Sequence, residues 1–428
     1  MRRTTRLEGR MRLATIVLSA ALASLPGCAC DTVPAGALTD CQATQVLPDA
    51  VQTDILFVID DSLSMAEEQA NLRDNLGAFV DALVASSVQN DFRIGVTSSS
   101  VEAFGATATT GQAYASGPAQ GVPYPDGALV AIRQDAGGQG VAGALRYDPV
   151  ADAATGGWGG RRILERGSAT LAQDFKANVL LGTSGSGKEQ PFRAVRLALS
   201  DRLTDANAGF LRPGARLAVI FVTDEDDCSD TAAPFASSND QCHARATKDA
   251  EPPILDPPEE LAAFLLGPVD GERREVVVGA IAGLDPTTLA PSCGDARLCA
   301  DTTCSTAFDG SDRFVRLQAA LGGARMQLGS VCDPSFKDSL TRFAESLAPS
   351  TLPLQGTPAD WRMLVVSVTR PDGGVVACQV TAEGTAGQAG ADAVYAAPRF
   401  GGPAQLTFQG RCALRLGDRI DVRVICAG

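Results

Sequence analysis

The sequence predicts an α/β fold, a doubly wound and mostly parallel sheet carrying a long insertion, followed by a small C-terminal β domain. Three observations predict it. Short, nearly continuous apolar runs recur at Thr53–Asp60, Arg216–Asp224 and Arg274–Gly283, the pattern of strands buried on both faces of a parallel sheet. Segments of helical period lie between and after them. Beyond Pro349 the texture changes to alternating segments punctuated by turn residues.

The elements follow in chain order. "TDILFVID" is the first strand. In the segment after it, Leu72, Leu76, Phe79, Val80, Leu83 and Val84 repeat at helical spacing, and Ser64 with Glu67 forms a capping-box pattern at the start. "DFRIGVTSS" (Asp91–Ser99) is the next strand, which completes a right-handed crossover unit. Residues from about 101 to 168 are rich in Gly, Ala, Thr, Gln and Pro with weak periodicity, and read as a long surface insertion. Regularity returns with a helix over Glu189–Leu203, the strand "RLAVIFVTD", and a helix over Pro257–Gly267 with Pro at its start and Gly at its end. A strand over Arg274–Gly283, a helix closed by Gly322, an edge strand over Ala324–Cys332 and a last helix over Pro334–Ala348 complete the domain. Turn signals at Pro371-Asp372-Gly373-Gly374 and Leu416-Gly417-Asp418 divide the strand-like segments of 350–428.

The N-terminus speaks to compartment. Arg2, Arg3, Arg6, Arg10 and Arg12 precede the apolar run Leu13–Leu25, which is shorter than the roughly 20 residues a bilayer span takes and has the length of a secretory h-region. The run ends in Leu25-Pro26-Gly27-Cys28, which resembles the lipobox of bacterial lipoproteins. That likeness implies a signal peptide over 1–27, lipidation of Cys28 and a tether over 28–50, so the expectation is an exported protein held to a membrane of the cell envelope by acyl chains. The 12 cysteines suit an oxidising compartment. Without Cys28 they fall into groups: Cys30 and Cys41; Cys228 and Cys242; Cys293, Cys299, Cys304 and Cys332; and Cys378, Cys412 and Cys426, where the odd thiol is expected. No C-x-x-C pair occurs and His243 is the one histidine, so disulfides rather than a zinc site are expected. A net charge of −14 argues against nucleic acid, whose phosphates need a positive footprint.

"GTSGSGKE" (Gly182–Glu189) has the G-x-x-x-x-G-K spacing of a phosphate-cradling loop, but Glu189 stands where Ser or Thr would hold magnesium. ATP is scarce outside the cytoplasm, so no nucleotide is expected. Ligands of such sheets bind at the carboxyl ends of the strands. There the first strand ends in Asp60-x-Ser62-x-Ser64, the "VTD" strand ends in Asp224, and the glycine loop supplies Thr183 and Ser186. Oxygen donors with few carboxylates suit magnesium or calcium. Lys188 is expected to point into solvent. Glu225, Asp226, Asp227 and Asp230 read as a solvated acidic loop stiffened by Cys228 and Cys242, ahead of a second cation site.

The constellation resembles the von Willebrand factor A (vWA) domain and its metal-ion-dependent adhesion site, over roughly Val51 to Pro349 apart from the insertion. Asp60, Ser62 and Ser64 match the family's D-x-S-x-S element, and Asp224 matches its aspartate after the central strand. The family's second-loop Thr falls on Ser186, with Thr183 as the alternative. The resemblance implies binding rather than catalysis: a Mg2+ or Ca2+ ion with an open position, filled by a carboxylate of a protein partner or surface polymer. Two other readings stand beside it, a structural domain with a stabilising ion and an envelope hydrolase. For the hydrolase there is no G-x-S-x-G motif, and His243 has no paired nucleophile nearby.

Overall fold

The computed structural model describes residues 51–424 apart from 86–89, 104–112, 147–160, 231–241, 245–247, 249, 251–252, 324, 348–350, 355–356, 359, 371, 386–387, 399–403 and 416–417. The signal peptide and tether readings, with Cys28, Cys30, Cys41 and Cys426, therefore lie outside the described residues.

The fold is a mixed α/β fold built on a six-stranded sheet. Strands β1 (Val51–Ile59) and β2 (Asn90–Ser98) are parallel neighbours. The described part of 101–168 contributes a hairpin of β3 (Ala131–Gln134) and β4 (Gly140–Arg146), and β5 (Leu164–Glu165), which closes the sheet antiparallel to β2. Strand β6 (Arg216–Val222) lies on the other side of β1, and all seven of its residues are buried. A two-residue hairpin of β7 (Pro268–Val269) and β8 (Glu272–Arg273) precedes β9 (Val276–Ala282) and β10 (Met326–Ser330). The sheet order is β10-β9-β6-β1-β2-β5. The chain leaves β1 towards β2, then returns to its other side as β6, so the order reverses beside β1.

Alternation along β1 explains why both faces are covered. Ile55, Phe57 and Ile59 pack with Leu72, Leu76 and Phe79 of α1 (Ala66–Ala85), Phe175 of α2 (Leu171–Asn178) and Phe343 of α6 (Lys337–Ser346). Leu56 and Val58 pack the opposite way, with Phe192 of α3 (Pro191–Ala198), Leu265 of α4 (Pro258–Leu266) and Phe314 of α5 (Asp312–Leu321). Gly322 ends α5 at φ 86°, the left-handed conformation in which Gly carries no Cβ penalty.

Two expectations change here. Residues within 101–168 are not all surface, because Tyr114, Tyr124, Val130, Ile132 and Leu145 join the same core as β1 and α1. These apolar side chains stand singly among glycines and polar residues, so they leave no period to read. Ser64 does not open a capping box either. A short 3-10 turn, Leu63–Met65, with Ser62 as N-cap and no side-chain cap bond, leads into α1 at Ala66.

Residues 351–424 form two small sheets around their own apolar cluster. Strands β11 (Thr351–Pro353), β16 (Gln405–Phe408), β15 (Ala393–Ala396) and β14 (Val380–Ala382) make one; β13 (Val375–Cys378), β12 (Leu364–Thr369) and β17 (Arg419–Val424) make the other. Among the described residues the disulfides are Cys228–Cys242, Cys293–Cys299, Cys304–Cys332 and Cys378–Cys412, pairings that persist in oxidising compartments. Among the described residues no helix is long and apolar enough to cross a membrane.

Candidate metal centre

The strand order reverses between β1 and β6, and the carboxyl ends of these strands adjoin. Such a switch point is where open α/β sheets bind ligands. Pairing continues one residue past the strands, with the Asp60 N–H donating to the Val222 carbonyl at 2.9 Å. Asp60 is thereby fixed at the rim. Its Oδ1 accepts from the Ser62 N–H at 2.8 Å, and its Oδ2 accepts from the Thr223 hydroxyl at 2.7 Å. The hydroxyls of Ser62 and Ser64 face each other at 3.2 Å, with Ser62 buried and Ser64 exposed.

Asp224 follows Thr223 and is 0 % exposed, with neither carboxylate oxygen in a hydrogen bond. Ser64 is near enough to draw on it electrostatically, though its hydroxyl does not meet hydrogen-bond geometry. Asp60, Ser62, Ser64 and Asp224 are therefore brought to one rim.

Ser186 and Thr183 are placed differently. The Ser186 hydroxyl donates to the Glu102 carbonyl at 2.7 Å and accepts from the Lys188 N–H at 3.0 Å, so it is occupied by the backbone. Thr183 is half-buried earlier in the loop. The side chain this loop turns inward is Glu189. It is 0 % exposed; its Oε2 accepts from the Ser99 hydroxyl, and its Oε1 has no partner. Its backbone is locked by the Cys228 N–H, which donates to the Glu189 carbonyl at 2.7 Å. Gly185 lets the loop approach: its N–H donates to the Asp61 carbonyl at 2.8 Å, and a Cβ there would stand 2.7 Å from that oxygen.

Buried carboxylates surround these donors. Burial, then the neighbouring Glu225, pushes Asp60 up to about 7. Burial pushes Asp61 up to about 6 against hydrogen bonds from Tyr114 (2.6 Å) and Ser100 (2.7 Å). Burial and the charges of Asp60 and Glu225 raise both Glu189 and Asp224 well above the usual carboxylate range. Burial raises Glu68, which adds its charge to the field at Asp224. Each effect disfavours the ionised form, and a cation among them would reverse all of them. Unpartnered, fully buried carboxylate oxygens are rare in folded proteins, and Asp224 and Glu189 both carry them. This donor set of carboxylates and hydroxyls fits a hard divalent cation.

The acidic side chains Glu225, Asp226, Asp227 and Asp230 are buried and paired with cations rather than solvated. Glu225 pairs with His243 Nε2 at 3.0 Å, and Asp226 pairs with Lys248 at 2.9 Å. Asp227 pairs with the buried Arg313 at 2.8 Å. Asp230 pairs with Lys188 at 2.7 Å, and that lysine, 1 % exposed, also meets Glu102 at 2.6 Å. Lys188 therefore does not point into solvent, because two carboxylates from distant segments close over it. His243 is fully buried. Burial opposes its charge, but Glu225 and Asp309 outweigh that and raise it to about 10. Cys228 and Cys242 lie within reach of His243, but both sulfurs are committed to their disulfide.

The motif reading did not place Glu189, Asp61 or Glu68 near these donors, and weighed Glu225 only for a second cation site. Glu189 did carry a signal: an acidic residue where the loop pattern asks for a hydroxyl, directly before the apolar face of α3.

No family model matches the chain, and no curated protein matches it. Among solved structures it is similar to the pilus adhesin SpaC of Lactobacillus rhamnosus GG, at 9% identity and a TM-score of 0.37, covering 89% of this chain and 39% of that one. It is also similar to proximal thread matrix protein 1 of the mussel byssus, at 12% identity and a TM-score of 0.32, covering 70% of this chain and 49% of that one. The chain thus spans less than half the length of either structure.

Proposed function

We propose that this chain is an exported, lipid-anchored protein of the bacterial cell envelope with a vWA-like, doubly wound domain. It binds a protein partner or surface polymer through a Mg2+ or Ca2+ ion held by Asp60, Ser62, Ser64 and Asp224. One observation carries the reading: Asp224 keeps both carboxylate oxygens buried and unpartnered beside Asp60 and Ser64. No catalytic role is proposed. A carboxylate on the partner is the occupant that the family likeness implies.

The depth of Asp224 and Glu189 favours a second reading, in which the ion only braces the sheet edge. A pull-down from native envelope with divalent cation or with EDTA separates the two. Cation-dependent capture that Asp60→Ala abolishes, in a variant that stays folded, is the expected result. A rise in stability with cation, without any capture, gives the structural reading instead.

The pH dependence has a definite sign. In the cation-free fold Asp60 titrates at about 7 rather than at the ordinary 3.8, so the folded state keeps a proton that the unfolded chain releases. Stability of the cation-free protein should fall as pH rises from about 4 to about 7, by several degrees in midpoint. Protons compete with the ion for the same oxygens. The rise in midpoint on adding calcium should therefore be larger at pH 7.5 than at pH 5, as differential scanning calorimetry at both values would show. A rise independent of pH would exclude these carboxylates as ligands.

A further inference from the structure

We infer that Cys228, Cys242 and His243 form a zinc site in the chain whose thiols are reduced, so that the loop between the two cysteines closes either on a disulfide or on a Zn2+ ion. This site shares no ligand with the cation proposed at the sheet rim.

The donors are already gathered. Cys228 Sγ, Cys242 Sγ and a ring nitrogen of His243 lie within 4.8 Å of one another, and all three residues are 0 % exposed. Sulfur and nitrogen ligands on one tetrahedral zinc ion stand about 3.6 Å apart, given its usual bond lengths. Cys228 Sγ is 3.7 Å from His243 Nε2. Two thiolates on zinc stand about 3.8 Å apart, so exchanging the disulfide for the ion parts the sulfurs by roughly 1.7 Å. The Cα atoms that carry them are 6.0 Å apart.

The surroundings suit a metal-bound imidazole. His243 Nδ1 is 2.8 Å from Asp309 Oδ2, and Lys248 holds that carboxylate at 2.6 Å. A carboxylate on the far ring nitrogen fixes the tautomer and orientation of zinc-bound histidines. Here it leaves Nε2 for Cys228. Phe308 packs edge-on against the ring with centroids 5.5 Å apart, and Leu255 shares an apolar cluster with both cysteines. Three protein ligands leave a fourth position. Glu225 borders it, with Oε2 at 3.0 Å from Nε2 and in no hydrogen bond. Thiolate and imidazole donors favour zinc over calcium or magnesium. His243 is the one histidine of the chain, so no other disulfide has this companion.

Burial does not bar the ion, because a structural zinc binds as the chain folds. Loading expels two thiol protons and the Nε2 proton, and the two charges of the ion cancel the two thiolates. A small-molecule disulfide reverses the step. The thiolates of Cys228 and Cys242 pass two electrons to the reagent, whose S–S bond breaks to give two thiolates. The Cys228–Cys242 bond forms and Zn2+ leaves.

The test uses the full chain, unfolded and reduced, then refolded in a phosphine reductant with or without Zn2+. Alkylation of each cysteine is followed by mass spectrometry. Zinc should slow alkylation of Cys228 and Cys242 by about tenfold or more, and leave the rates at Cys378 and Cys412 unchanged. Co2+ in place of zinc should give the visible and near-ultraviolet bands of tetrahedral thiolate coordination, which oxygen ligands at the sheet rim do not give. His243→Gln and the nearly isosteric Cys242→Ser should each weaken those bands and the protection. Oxidised glutathione, added after the phosphine is removed, should release the zinc to a chromophoric chelator. Equal alkylation of Cys228 and Cys242 with and without zinc, a cobalt spectrum without thiolate bands, or protection that survives both substitutions would each overturn the inference.

Discussion

Magnesium or calcium added to the cation-free protein should raise its unfolding midpoint, and Asp224→Asn should abolish that rise. On the proposed reading the ion would bind the folded state alone, because Asp60, Ser62, Ser64 and Asp224 come from the ends of β1 and β6, which the unfolded chain separates. Linkage then gives about 2.7 kcal/mol of stabilisation at a hundredfold excess over Kd, or roughly 4 °C for a domain of about 300 residues. Asp224 is chosen because its two oxygens are fully buried and make no hydrogen bond. Asn therefore leaves no donor of the surrounding protein orphaned. In the cation-free protein Asn also removes a carboxylate repelled by Asp60 and Glu225, so the variant should unfold no lower than the wild type. Affinity for the ion should fall by at least a hundredfold in calorimetry. Equal rises in both proteins, or none in the wild type, would remove the metal centre.

Lys188→Ala should be among the most destabilising single changes in the chain, although a Gly-rich loop is its setting. Lys188 is 1 % exposed and holds Glu102 at 2.6 Å and Asp230 at 2.7 Å. Burial tends to raise Glu102, but the lysine, helped by Arg193, keeps it below its ordinary value. Truncation leaves two buried carboxylates without their shared cation, an effect of about 3–5 kcal/mol and a fall in midpoint on the order of 10 °C. Lys176→Ala, on the exposed side of α2, is the control and should change stability by less than about 0.5 kcal/mol. Adding Glu102→Gln and Asp230→Asn to the truncated variant should recover part of the loss, since the charges left behind are what destabilise it. A loss below about 1 kcal/mol for Lys188→Ala alone would show a lysine that reaches water.

Much of the fold was legible because it is written in local periods. β1, β6 and β9 are continuous apolar runs that only a sheet buried on both faces accommodates, and α1 carries Leu72, Leu76 and Phe79 on one stripe. The short helix Leu171–Asn178 and the buried residues of 113–146 were not legible. Eight residues hold too few turns to show a period, and Tyr114 or Tyr124 enters the core singly from irregular backbone. Asp60, Ser62, Ser64 and Asp224 were legible as candidates because strand ends fix where such residues emerge.

The sequence by itself determined which strand ends carry oxygen donors, since two residues past an apolar strand is a local position. Only the tertiary structure decided which side chain the glycine loop turns inward and which acids have partners. Ser186 turned to the Glu102 carbonyl, Glu189 turned inward, and Lys188, His243, Lys248 and Arg313 neutralised most of the acidic loop while leaving Asp224 bare. The direction of a loop side chain is set by contacts with segments dozens of residues away, and a charge's fate by its neighbours in space. Neither quantity has a period along the chain.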